Sequence, residues 1–305
     1  AGFANFRTDV RVAGVILNRV GSQRHDTMLR AALAQSEMPV FGSIRRDASL
    51  ELPSRHLGLV QAEERADLEK FVEISGEIIG NSVNLAALRN LQSSFKGLQE
   101  KSSIPPLVQR IAVAQDRAFS FIYPHLLECW RAQGAEIQFF SPLANEVVPE
   151  DVDAVFLPGG YPELHAQTLC NAMQFRQSLR DAASRSAVIY GECGGYMVLG
   201  DALVDADGVP HKMVGLLPVT TSFAKRKLAL GYRNARLLCQ LGPIPAGRIL
   251  AGHEFHYSTV VEQEKGDALF AARDALGQDL GPAGLQRGSV SGSYLHMIDL
   301  RPETA

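Results

Sequence analysis

The segment "SAVIYGECGGYMVLG", residues 186–200, is the one that most narrows what this chain can fold into. An apolar run of strand character meets Gly191-Glu192-Cys193-Gly194-Gly195 and passes into the helix-compatible "YMVLG". Strand, tight turn and helix together make the setting of a nucleophile elbow. The flanking glycines tolerate a strained turn, and the side chain between them stands at the carboxyl end of a parallel sheet. A helix N-terminus beside the thiol also favours thiolate. Cys193 is therefore the candidate nucleophile among four cysteines, none of them in C-x-x-C spacing. Cys129, in the helical "HLLECWRAQG", reads as a small core hydrophobe, and Cys170 and Cys239 as structural.

An elbow needs a doubly wound sheet around it, and the surrounding pattern supplies one. After "RIAVAQD" (strand) come 118–133 (helix), "EIQFF" (strand), "AVFLPGGY" (strand into a glycine turn), 163–184 (helix) and the elbow strand. From about residue 215 the signals shorten and become β-like, with "AGHEFHYSTVV" and "GSVSGSYLHMI" the clearest strands, so an antiparallel addition is expected there. The first hundred residues alternate likewise: a strand over 10–17, a helix over 25–36, a short strand over 39–43 and a helix over 64–80. Between the two halves, "NLQSSFKGLQEKSSIPPLVQ" is polar, then serine-rich, then doubly proline, which reads as a linker. The expected fold class is α/β with two tandem doubly wound domains, residues 1–92 and 109–305, joined by a linker over 93–108.

A formal charge of −3 on 305 residues, with 21% charged side chains, gives no basic stripe for nucleic acid. No apolar run approaches the roughly 18 residues of a membrane span, and no signal-peptide pattern opens the chain, so a cytoplasmic protein is expected.

A cysteine nucleophile needs a base. Of eight histidines, His25, His125, His165 and His211 fall at surface or helix positions, whereas His296 ends a predicted strand of small and apolar residues and is the candidate base. The developing oxyanion needs backbone N–H donors, which the glycine turns offer at Gly160 and Gly194. "GHEFHYS" places His253 and His256 on one strand; alternation separates His253 from Glu254, so cleft-lining is preferred over a metal site. "KRK" (225–227) and Arg233 offer positive charge to an acidic substrate or are merely solvated. Arg55 and His56 in "PSRHLGL" are either a loop salt bridge or a ligand contact.

Cysteine elbow, glycine turn and late histidine, in this order, resemble a class I glutamine amidotransferase domain. "AVAQDRAFSFIYP", "FLPGGYPELHA", "GECGGYMVLG", "LGYR", "GHEFHYS" and "SGSYLHMI" together resemble the cobyrinic/hydrogenobyrinic acid a,c-diamide synthase family. The resemblance implies a glutaminase joined to a dethiobiotin-synthetase-like ATP domain, with L-glutamine, ATP, Mg2+ and cobyrinic or hydrogenobyrinic acid as ligands. It implies that Asn18, in "VAGVILNRVGS", reads the adenine edge, although a strand-end turn is the alternative. It implies a substrate role for Arg55, His56, Arg233, His253 and His256. G-x-x-x-x-G-K-[ST] is absent, so the phosphate cradle and magnesium ligands are expected on a preceding segment. The glutamate that often follows the histidine by two positions is also absent, since Ile298 stands there; a Cys193–His296 dyad is expected, with Asp299 a weak substitute. A homodimer is one expectation for a state of assembly left open. The alternatives are an amidotransferase on another tetrapyrrole, a cobyric acid synthase, or a non-catalytic binding or regulatory subunit.

Overall fold

The computed structural model describes residues 2–55, 58–92, 104–264 and 266–302. The chain folds as two compact units, residues 1–99 and 100–305.

In the first unit Val15–Val20 and Val40–Arg45 pair in parallel, and the helix Gln23–Ala34 connects them. Ser22 caps that helix by accepting from His25 N–H at 3.1 Å. The strand expected over 10–17 starts only at Val15, because pairing with Val40 starts there. Likewise the helix expected over 64–80 runs Leu68–Ser82, after a 3-10 turn at Ala62–Glu64.

The second unit is built on a six-stranded sheet in the order Leu285–Arg287, Val290–Ser293, Val188–Glu192, Ala154–Leu157, Arg110–Ala114, Glu136–Phe140. Every pairing is parallel except that of the first two. Residues 111–114, 154–157 and 188–190 are continuous apolar runs because both faces of the sheet are covered. Ala112, Ala114, Val155, Leu157 and Ile189 face a core with Phe175 and Leu179 of the helix Met173–Ser184, while Ile111, Val113, Ala154, Phe156 and Tyr190 face the opposite core with Leu126 and Trp130 of the helix Pro124–Ala132. The expected antiparallel addition is a five-stranded sheet, Asp279–Ala283, Phe270–Asp274, Ala229–Leu237, Ile249–His256, His296–Leu300, whose Leu250, Phe270 and Met297 join that second core.

Three sequence expectations shift here. The helix expected from 118 begins at Pro124, which occupies its first turn, and Phe121 instead bridges to Gly159. The helix expected over 163–184 is broken at Ala172 (φ −75°, ψ 71°). The expected linker ends early: Ile104 and Leu107 are fully buried in the second core, so the chain from 104 onward belongs to that unit.

Candidate active site

Cys193 joins the strand Val188–Glu192 to the helix Gly194–Leu199 with φ 46° and ψ −99°. Such a backbone costs about 1–3 kcal/mol and persists only where neighbours hold it. Here Cys193 N–H donates to Ser293 O (2.8 Å) and Gly195 N–H to Pro158 O (3.1 Å). A Cβ on Gly191 would stand 2.7 Å from the Gly195 carbonyl carbon, and one on Gly195 would overlap the Leu157 carbonyl. The two glycines thus let the helix start against the end of the neighbouring strand, and the thiol is left 1% exposed.

His296 does not end a strand, as expected, but begins one. Ser293 pairs with Glu192 in the central sheet, and after Tyr294 and Leu295 the chain enters the antiparallel sheet at His296. The ring therefore arrives beside the elbow. A Cβ on Gly159 would overlap His296 Cε1, lie 3.2 Å from Nε2 and 3.4 Å from Cys193 Cβ, so the Nε2–Cε1 edge and the cysteine share one small space. The Nδ1 edge faces Glu192, whose Oε2 is 3.8 Å away.

The amides of Gly160 and Gly194 are neighbours: a Cβ on Gly194 would be 3.0 Å from the Gly160 nitrogen. Among the described residues neither N–H donates to a backbone carbonyl, and that of Gly194 bonds the Cys193 sulfur. Burial pushes the Cys193 thiol well above its ordinary range, with the Glu163 carboxylate adding to the rise. His296 is lowered to about 3 by burial, then by His253 and His256. Glu192 is raised to about 8 by burial, against the Met297 N–H bond to its carboxylate. Burial thus favours the neutral forms of both the thiol and the imidazole.

His253 and His256 have separate surroundings. His253 pairs across strands with His296 and stacks on it (centroids 4.9 Å apart, 4°), and its Nε2 is 2.6 Å from Tyr123 Oη. His256 stacks on Tyr294 at 3.7 Å, with Nδ1 3.0 Å from Ser258 O. Arg233 is engaged by Glu254 at 2.8 Å, with both side chains largely buried. Arg55 forms a two-pronged pair with Glu64 (2.5 and 2.7 Å), the salt-bridge member of its two readings; His56 lies outside the described residues. Asn18 accepts from Arg19 N–H (2.9 Å) and lines a cleft of about 680 Å³ with Arg19, Arg45, Arg46 and Phe71.

Residues 110–303 match a family model described as a CobB/CobQ-like glutamine amidotransferase domain, and residues 1–60 match a CobQ/CobB/MinD/ParA nucleotide binding domain. Hydrogenobyrinate a,c-diamide synthase of Brucella abortus biovar 1 (strain 9-941) is 54% identical over 100% of this chain and 70% of its own length. The chain belongs to the hydrogenobyrinate a,c-diamide synthase family. Relatives of that name from Rhizobium meliloti (strain 1021) and Rhodobacter capsulatus are 52% and 47% identical, over 98% and 97% of this chain and 69% and 68% of theirs. Membership in this synthase family accounts for the α/β architecture and for an amidotransferase domain that carries the elbow. Sequence reasoning missed Glu192, Gly159 and Tyr123 at the candidate site. Glu192 had a signal in hand, being the variable position of Gly-x-Cys; Tyr123 had only its place in "FIYP".

Proposed function

We propose that this amidotransferase converts the a and c carboxylates of hydrogenobyrinic acid, or of its cobalt-containing counterpart cobyrinic acid, into primary amides in cobalamin biosynthesis, with glutamine as nitrogen donor and ATP as activator. The meeting of Cys193 and His296 beside Gly159 carries the glutaminase part of this reading, and the 54% identity to a hydrogenobyrinate a,c-diamide synthase supports the acceptor. The Cys193 S–H proton passes to His296 Nε2 as sulfur bonds the glutamine amide carbon. The amides of Gly160 and Gly194 take the oxyanion, and His296 returns the proton to the departing ammonia. Water then releases glutamate from the thioester. A carboxylate resists ammonia until ATP phosphorylates it; ammonia displaces phosphate from the acyl phosphate and leaves the amide.

The Asn18 cleft, with three arginines along it, supports nucleotide binding in the first unit. Among the described residues no group of three His, Cys, Asp or Glu side chains is arranged to hold a metal ion. The Tyr123–His253 pair beside the His296 ring supports a reading in which these two residues line the glutamine pocket.

A diazo-ketone analogue of glutamine tests the site. We expect alkylation confined to Cys193 and blocked by glutamine, and no glutaminase activity in Cys193→Ala. Equal labelling of all four cysteines, or full activity of that variant, overturns the assignment. Amide formation by the full-length enzyme on hydrogenobyrinic and cobyrinic acids, followed by mass spectrometry, decides the acceptor.

A further inference from the structure

Glu192 is a buried acid that the glutaminase chemistry above leaves unused. Its side chain is 0% exposed. Oε1 accepts from Met297 N–H at 2.9 Å, which ties the His296 strand to the elbow strand. Oε2 has no hydrogen-bond partner and faces His296 Nδ1, 3.8 Å away, which has none either. Two buried polar atoms with complementary chemistry thus face one another across less than one side-chain adjustment, where an unmade bond is costly. The position two residues after His296 is the apolar Ile298, and Asp299 Oδ1 accepts from Leu300 N–H. His253 and Tyr123, which also lie against the ring, are joined to each other at 2.6 Å.

We propose that Glu192 is the positioning residue of His296: Oε2 accepts from Nδ1–H and leaves the Nε2 lone pair turned toward the Cys193 thiol. The proposal rests on the glutaminase reading of Cys193 and His296. Once ionised, Glu192 has an acceptor oxygen for each of the two N–H groups presented to it, Met297 N–H and His296 Nδ1–H. The 3.8 Å separation exceeds a hydrogen bond, and such contacts in ligand-free sites shorten when substrate is bound. When Cys193 gives its proton to Nε2, the imidazolium forms beside this buried acid, and Nδ1–H stays in place throughout. The elbow would then carry the nucleophile and the residue that aims its base side by side in the chain.

The test is glutamine hydrolysis by the full-length enzyme and its Glu192→Gln, Glu192→Asp and Cys193→Ala variants. Glutamine at 192 keeps one acceptor, and with that acceptor on Met297 N–H it turns an NH2 donor toward Nδ1, favouring the wrong tautomer. We expect kcat to fall about 100-fold or more with KM within about threefold, and Glu192→Asp, which keeps the carboxylate, to recover at least about tenfold of the loss. Wild-type kcat in Glu192→Gln, or an aspartate variant as slow as the glutamine one, overturns the proposal. Activity in Cys193→Ala would instead overturn the glutaminase reading beneath it. Nitrogen-15 resonances of His296 in the unmodified enzyme above about pH 8, where Glu192 is ionised, give a readout independent of variant folding: a protonated Nδ1 is expected, and a protonated Nε2 with bare Nδ1 overturns the assignment.

Discussion

At residue 159 the absence of a side chain is what lets His296 and Cys193 meet. The space a methyl group would take is bounded by the His296 ring and the Cys193 Cβ, both fully buried and unable to yield cheaply. Gly159→Ala should therefore displace the imidazole rather than the backbone. Misplacement on the order of 1 Å can cost about 10²-fold in rate, so glutaminase kcat is expected to fall at least about tenfold. Steady-state kinetics with calorimetry checks this; unchanged kcat would mean that the ring has another approach to sulfur. Gly191, Cys193 and Gly195 were legible in the sequence because a G-x-nucleophile-x-G turn needs those residue types locally. Gly159 was not legible, since which glycine of "PGGY" faces the histidine depends on two strands meeting from distant parts of the chain. Glu192 was passed over because the search for an orienting acid followed the histidine's strand instead of the cysteine's.

Elements were readable where local pattern and packing agree, as in the central parallel strands, and misread where one apolar run serves two sheets. "GSVSGSYLHMI" looks continuous, yet Ser293 Oγ accepts from Leu295 N–H at 3.0 Å and turns the chain between Val290–Ser293 and His296–Leu300. That local bond moves His296 from the end of one strand to the start of another. The proline-rich segment was misassigned for a related reason: polarity and proline at 101–106 resemble a linker, but Ile104 and Leu107 are apolar anchors with 0% exposure. Docking of this segment predicts that Leu107→Ala destabilises the second unit by about 2–5 kcal/mol, as expected for a fully buried leucine. Trp130, the single tryptophan and part of the same core, reports the transition by fluorescence in urea. A lower midpoint is expected at similar denaturant sensitivity; an unmoved midpoint would show that residues 104–107 contribute nothing to the fold.

For the stability of the resting protein as a whole, Glu192 and His296 act in opposite directions with pH. His296 is held near 3 against 6.5 when unfolded, so between those values the unfolded chain binds the extra proton and stability rises with pH. Glu192 is held near 8 against 4.5 when unfolded, so between those values the folded chain binds the extra proton and stability falls with pH. Their effects cancel from about 4.5 to 6.5, where folded and unfolded forms of the pair hold equal numbers of protons. Above 6.5 only the glutamate effect remains, and ionising a fully buried acid destabilises the fold. Glu192→Gln removes that effect alone, because the amide does not titrate. The thermal midpoint of the unmodified protein, measured without glutamine, should therefore decline relative to that of Glu192→Gln from pH 4.5 to 8, and the difference should level off outside that range. A difference that instead grows in favour of the unmodified protein as pH rises would mean that Glu192 is already ionised and paired with a cationic His296 in the resting state. Scanning calorimetry at half-unit pH intervals distinguishes the two signs.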